Sequence, residues 1–125
     1  MKPKILVVDD SGLARRLIRK TLEESGHDVE EASDGAEALE RYALNHHDVV
    51  ILDLLMHGMY GVEVLQKLKE LNPAVPVIIV SADIQRTTRE QVREMGAVAM
   101  VNKPVTKDQL TEVLSIVLSG GKIWN

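Results

Sequence analysis

Three short apolar runs, each broken off at a polar residue, restrict what this chain can fold into more than any other feature. They are Ile5-Leu-Val-Val8 before Asp9, Val49-Val-Ile-Leu52 before Asp53, and Val75-Pro-Val-Ile-Ile-Val80 before Ser81. Runs of this length, rich in β-branched residues, read as strands buried on both faces of a parallel sheet. The middle run is the most informative, because Leu54 continues it and the carboxylate of Asp53 interrupts it. A charge is expensive in apolar surroundings unless it is paired or metal-bound. Asp53 is therefore expected where its strand emerges, at the C-terminal end, where open parallel sheets bind ligands. Its ordinary reading is that of a turn residue, and the rest of the chain has to decide.

Between the apolar runs the periodicity is helical. After a first strand at Lys4–Asp9, Asp10-Ser11-Gly12 makes a turn and cap. A helix follows with Leu13, Leu17, Ile18, Thr21 and Leu22 on one face and Arg15, Arg16, Arg19 and Lys20 largely on the other; Gly26 stops it. Asp28–Ala32 is a weaker, acidic strand suited to a sheet edge. Ser33-Asp34-Gly35 opens a second helix, with Ala36, Leu39 and Ala43 on one face and Asp34 and Glu37 spaced like a capping box. The Asp53 strand comes next, then a loop from Gly58 to Gly61. Val62, Leu65 and Leu68 mark a third helix, ended by Asn72-Pro73. The fourth strand, Val75–Val80, carries Pro76 near its start, where a missing N–H is tolerated, and leads into Ser81-Ala82-Asp83. A polar fourth helix is expected from Ile84 to Met95, with Gly96 as its stop. Val98–Val101 is a fifth strand, leading to Asn102-Lys103-Pro104. Leu110, Val113, Leu114, Val117 and Leu118 form the stripe of a last helix, and Ser119-Gly120-Gly121 releases a tail, Lys122–Asn125.

Five strands alternating with five helices imply an α/β fold: a five-stranded parallel sheet covered on both faces, a three-layer (βα)5 sandwich. The weak second strand belongs at an edge and the most apolar strands inside. That favours the flavodoxin-like order 2-1-3-4-5, with its topological switch between strands 1 and 3. A length of 125 residues suits one domain, drawn here at 1–119 with a short C-terminal tail at 120–125. Without cysteine, the chain has no disulfide, thiolate nucleophile or cysteine zinc site. A net charge of −4 gives no electrostatic footprint for nucleic acid. Tyr42, Tyr60 and Trp124 are the only aromatic residues besides histidine, so the core is aliphatic. The start, Met1-Lys-Pro-Lys4, leads into too few apolar residues for a signal peptide, and no run approaches a membrane span. A cytoplasmic protein is expected.

The strand order makes a geometric statement. It brings Asp9 and Asp10 beside Asp53, with Ser81 and Lys103 on the same rim. Singly, each has an ordinary reading: acids at a helix N-terminus, a serine cap, a solvated lysine. Together they form a cluster placed by the fold alone. Two carboxylates about 5 Å apart repel by roughly 3 kcal/mol at an effective dielectric of about 20. One lysine cannot neutralise three acids, whereas a hard divalent cation can. Oxygen ligands without Cys or His select Mg²⁺ over zinc. Such a site suits a phosphoryl group, with Asp53 as nucleophile, Lys103 and the metal stabilising charge, and Ser81 donating a hydrogen bond.

Asp9-Asp10 after strand 1, Asp53 after strand 3, Ser81-Ala82 after strand 4 and Lys103-Pro104 after strand 5 resemble the receiver domains of two-component response regulators. The resemblance spans essentially the whole chain, and four separated motifs agree in type, order and spacing. Val8-Asp-Asp-Ser11 followed by Arg15-Arg16 is more similar to chemotaxis receivers of the CheY type than to receivers of transcription factors. The resemblance implies that Asp53 accepts a phosphoryl group from a histidine kinase or phosphotransfer protein. It implies Mg²⁺ bound by Asp10, Asp53 and the backbone carbonyl of Leu55, with Asp9 acting through water or as a weaker ligand. It implies a cis Lys103–Pro104 bond, and a phosphorylation-driven inward movement of Ser81 that reshapes the fourth helix, fifth strand and last helix. That face, with Met100 and Pro104, is the expected docking site of a downstream protein, a motor or chemotaxis component among the candidates. The implied protein is a phospho-acceptor that catalyses its own phosphotransfer and slow dephosphorylation, not an enzyme for a separate substrate. It is monomeric or weakly dimeric and makes no direct contact with nucleic acid or membrane.

The chain departs from the family pattern at several points. His57 stands where proline is usual and reads as a solvated loop histidine. Met100 replaces the usual aromatic residue and has no hydroxyl, and Tyr60 stands where small or polar residues are usual. His46 and His47 point apart in extended chain, which argues against a two-histidine metal site. Leu55 and Asp83 flank the acceptor and hydroxyl positions, where they can limit or guide water. Ile123 and Trp124 either dock on the body, bind a partner or do neither. Three rivals are weaker. A haloacid-dehalogenase-type phosphatase needs Asp-x-Asp after strand 1, and Ser11 stands there instead. An FMN binder needs a neutral phosphate loop, which Asp9-Asp10 is not. A phosphorylation-independent interaction module is compatible with the chain but unforced by it, since every site residue is intact and His57 and Met100 are its only support. The expected protein is a single-domain response regulator, with a receiver fragment of a larger regulator as the alternative.

Overall fold

The computed structural model describes residues 2–56, 60–83 and 85–124, so the reading of His57 lies outside the described residues. The strands are β1 (Lys4–Val8), β2 (Asp28–Ala32), β3 (Val49–Asp53), β4 (Val77–Ser81) and β5 (Ala99–Asn102). The helices are α1 (Gly12–Glu24), α2 (Gly35–Asn45), α3 (Gly61–Leu71), α4 (Arg86–Glu94) and α5 (Lys107–Leu118). All strand pairs are parallel, in the order β2-β1-β3-β4-β5. This is the fold expected from the alternation of apolar runs and helical stripes.

The pleat divides the apolar residues between two cores. Leu6, Val8, Val50 and Leu52 join Ala38 and Tyr42 of α2, Leu65 and Leu68 of α3 and Val92 of α4. Ile5, Val7, Ile51, Ile78 and Val80 join Ile18 and Leu22 of α1 and Leu110, Leu114 and Val117 of α5. Each aliphatic side chain so buried contributes about 1.5–3 kcal/mol. Because β1 and β3 are covered on both faces, neither shows polar alternation.

The acidic edge strand β2 uses the same pleat for its charges. Glu31 is held by Arg15 at 2.9 Å and Arg19 at 2.8 Å, both from α1. Glu30, on the opposite face, meets Arg41 at 3.0 Å, Asn45 at 2.9 Å and His47 at 2.7 Å. The Arg19 hydrogen bond holds the Glu31 carboxyl below its ordinary range, against the opposing effect of burial.

Two helix faces differ from the periodic reading. In α1, Ile18 and Leu22 are buried while Leu13 is 66% and Leu17 59% exposed, because Arg15 and Arg19 turn toward Glu31. In α2 the buried residues are Gly35, Ala38 and Tyr42, not Ala36 and Ala43; Leu39 packs at the margin. The Tyr42 ring reaches the core while its hydroxyl accepts a hydrogen bond from Asn72 Nδ2 at 2.9 Å, which sets the rotation of the helix. Asp34 caps α2 through Glu37 N–H, but Glu37 returns its bond to Ser33 N–H rather than to the cap residue. β4 begins after Pro76, whose carbonyl accepts from Val50 N–H. α4 begins at Arg86 with Gln85 as its N-cap, and Asp83 accepts hydrogen bonds from Gln85 N–H and the Thr88 hydroxyl; the expected start at Ile84 lies outside the described residues.

Candidate functional site

The site lies at the C-terminal ends of β1, β3, β4 and β5. Register decides its composition: Val8 pairs with Leu52, so the next residues of the two chains, Asp9 and Asp53, emerge side by side. Asp53 lies opposite Val80 and Ser81 opposite Asn102, which sets Lys103 just beyond. Asp9 is 2% exposed, Asp53 5% and Ser81 fully buried. Asp9 and Asp53 are the buried acids among the described residues, and they converge on one ammonium group. Lys103 Nζ donates to Asp9 Oδ2 at 3.0 Å and to Asp53 Oδ2 at 3.1 Å.

The other contacts orient the carboxylates. Asp9 Oδ1 accepts from Ser11 N–H at 2.9 Å, and Asp53 Oδ1 accepts from Leu55 N–H at 3.1 Å. Burial pushes the Asp53 carboxyl above its ordinary value and the charge of Asp9 adds to this, against Leu55 N–H and Lys103. Burial also opposes the Lys103 charge, but the hydrogen bonds to Asp9 and Asp53 outweigh it and hold its pKa above the ordinary value. Ser81 Oγ accepts from Asp83 N–H at 3.0 Å, which leaves its own proton to donate. Its carbonyl accepts from Lys103 N–H at 2.9 Å, and the Lys103–Pro104 peptide is cis.

Asp9, Asp10 and Asp53 each offer an oxygen within 4.8 Å of the others. This all-oxygen donor set fits a hard divalent cation of the Mg²⁺ class. The described contact of Leu55 is through its N–H, with the side chain exposed. Met100 is 9% exposed and belongs to the α2–α3–α4 core, while Pro104 is at the surface. His47 turns inward to Glu30, whereas His46 ends α2 in a left-handed conformation, φ 48°; the two rings do not converge on the site.

A family model described as the response regulator receiver domain matches residues 5–115. The chain belongs to that family. Sensor protein EvgS of Escherichia coli (strain K12) is 37% identical over 114 residues, 91% of this chain and 10% of its own length. Transcriptional regulatory protein ResD of Bacillus subtilis (strain 168) is 38% identical over 101 residues, 81% of this chain and 42% of its own length. Among solved structures, chemotaxis protein CheY4 of Vibrio cholerae superposes with a TM-score of 0.89 at 28% identity, covering 92% of this chain and 98% of that one. A CheY-like receiver domain protein of Methanospirillum hungatei gives 0.92 at 27% identity, with 96% of each chain covered. The receiver thus spans about a tenth of one curated relative and under half of another. None of its described helices is long and apolar enough to cross a membrane.

Two residues contribute to the receiver site in ways the sequence reading does not assign. Arg15 Nη1 donates to Asp9 O at 2.7 Å and so ties α1 to the acidic pair. Gly61 starts α3 against Asp53: a Cβ there would sit 2.5 Å from Leu54 Cα and 2.6 Å from Asp53 O. A glycine before a helical stripe was the available signal, but only the packed backbone distinguishes close approach from an ordinary turn.

Proposed function

We propose that this receiver accepts a phosphoryl group on Asp53 from the phosphohistidine of a histidine kinase or phosphotransfer protein. The observation that carries the reading is Lys103 Nζ bridging two nearly buried carboxylates, Asp9 and Asp53. A carboxylate oxygen of Asp53 forms a bond to phosphorus as the donor P–N bond breaks. The imidazole leaves with the electron pair and takes up a proton. Lys103 is placed to follow the charge onto the phosphoryl oxygens, and Ser81 has a hydroxyl proton to donate to them. Asp9, Asp10 and Asp53, with the Leu55 carbonyl, would hold Mg²⁺. That ion supplies charge neutralisation for a phosphoryl group entering an acidic cleft.

The donor side of the site is apolar. Ala14, Leu17, Ile18, Pro104 and Val105 line a groove of about 430 Å³ next to Lys103, and exposed Leu13 and Leu17 extend the apolar surface. This suits a helix that presents a phosphohistidine. Output runs through the α4–β5–α5 face to a downstream protein, chemotaxis-type by the motif resemblance, in the cytoplasm. Met100 lies beneath that face and Pro104 at its end. We take residues 1–119 as the receiver and 120–125 as its tail.

Intact mass after incubation with acetyl phosphate tests the reading. One Mg²⁺-dependent phosphoryl group, lost in Asp53→Asn, is expected. No addition with Mg²⁺ present would overturn it.

A further inference from the structure

The last described residues fold back on the sheet. Gly120, left-handed at φ 89°, turns the chain after α5. Ile123 N–H donates to Val98 O at 2.8 Å, and Ile123 forms a parallel bridge with Ala99. Trp124 Nε1–H donates to Ala97 O at 3.1 Å. The guanidinium carbons of Arg89 and Arg93 on α4 lie 5.4 and 5.7 Å from the Trp124 ring centroid, within cation–π range. Ile123 packs on the α1–α5 core and Trp124 on the α2–α3–α4 core. The tail therefore straddles the sheet edge and touches both layers. β5 is an outer strand, and an outer strand offers unpaired N–H and C=O groups to any extended segment. Here the chain's own tail takes part of that edge.

Both elements that the tail holds lead into the phosphoryl site. β5 runs from Ala99, at the tail bridge, toward Lys103, whose N–H lies on Ser81 O. α4, which supplies the two guanidiniums, follows the Ser81–Asp83 turn and is tied to it by Thr88 Oγ1–H to Asp83 Oδ2 at 2.7 Å. Met100 and Val92 share one core cluster with Trp124 packed against it. The Lys103 and Ser81 end and the tail end are thus joined by the same two elements.

We propose that residues Lys122–Trp124 are an intramolecular ligand of the α4–β5 edge, occupying the output face and released when Asp53 is phosphorylated. The proposal rests on the phospho-acceptor reading. The tail's contacts are few, and they offset the ordering of a short, glycine-hinged segment, so docking is displaceable. A downstream protein that competes with the tail presents an extended segment bearing an aromatic ring, which takes the same backbone carbonyls and guanidiniums. Coupling between two sites is reciprocal. If phosphorylation weakens tail docking, weakening the tail strengthens binding of a phosphoryl analogue by the same factor.

Trp124 is the only tryptophan, so its emission reports on the tail of the unmodified chain. The full chain is incubated with acetyl phosphate and Mg²⁺, and intact mass, emission and iodide quenching are read on the same sample. Phosphorylated protein is expected to show red-shifted emission and greater quenching, and Asp53→Asn to show neither. Trp124→Ala is expected to bind beryllofluoride with Mg²⁺ more tightly than the unsubstituted chain in calorimetry. A mass gain with unchanged emission and quenching overturns the tail proposal and leaves the acceptor reading standing, and an unchanged beryllofluoride affinity in Trp124→Ala overturns the coupling. No mass gain overturns the acceptor reading, and the proposal with it.

Discussion

Replacing the Asp53 carboxylate should stabilise the protein. In Asp53→Asn the carboxylate is lost but the amide oxygen can still accept the Leu55 N–H bond. The oxygens that Asp9, Asp10 and Asp53 offer lie within 4.8 Å of one another. At that separation and an effective dielectric of about 20, each pair repels by about 3.5 kcal/mol, so two neighbours oppose the Asp53 charge by about 7 kcal/mol. Lys103 Nζ, 3.1 Å away, returns about 5 kcal/mol at the same dielectric. Burial of Asp53 works in the same direction as the repulsion. The variant is therefore expected to be more stable by about 2 kcal/mol in EDTA, which raises Tm by about 8 °C for a chain of this length. Mg²⁺ should stabilise the unsubstituted chain by mass action and narrow the gap. Urea and thermal melts in EDTA and in Mg²⁺ measure both effects. An Asp53→Asn protein less stable than its parent in EDTA would refute the reasoning, because the Lys103 ion pair would then outweigh the acid cluster.

Gly61→Ala should lower stability by about 2 kcal/mol and slow phosphorylation, because the added methyl group meets backbone at Leu54 and Asp53 that cannot yield; urea melts and intact mass check the two effects. Ser81→Ala leaves Asp83 N–H without its described acceptor, so a loss of about 1 kcal/mol is expected, with acetyl phosphate still adding one phosphoryl group and the Trp124 emission change lost. Burial holds His47 below its ordinary value of 6.5, outweighing the Glu30 hydrogen bond. Below pH 6.5 the unfolded chain therefore takes up the His47 proton first, and folding stability falls until the lower native pKa is passed. Urea midpoints from pH 7 to pH 5 should show this acid-side loss, and His47→Phe should remove that part of it. Glu31→Gln should weaken the α1–β2 contact by about 1 kcal/mol at neutral pH. The parent's advantage should vanish as pH falls through the lowered native pKa of Glu31, and the same melts would show it.

The order of strands was legible because burial on both faces leaves a run of uninterrupted apolar residues. β1, β3 and β4 could hardly be anything else, and the acids of β2 mark an edge. Once that order is known, Asp9, Asp53 and Lys103 must meet, since parallel register carries each strand end to the same rim. The helix rotations were less legible. Periodicity places a face to within about one residue, and α2 offers small alanines on several sides. Tyr42 decides the matter by accepting from Asn72 at the C-terminal end of α3, a contact 30 residues away in sequence. The same holds in α1, where Glu31 draws Arg15 and Arg19 inward and leaves Leu13 and Leu17 outside.

Local sequence thus determined which segments are strands and helices, where the caps of α1 and α2 begin, and that acids and a lysine share one end of the sheet. Only the tertiary structure decided that Lys103 bridges Asp9 and Asp53, that Gly61 must lack a side chain, and that Trp124 returns to α4. The first group depends on hydrophobic period and backbone preference, which act within a few residues. The second depends on distances between chain segments far apart in sequence, which no local pattern encodes until the sheet brings them together.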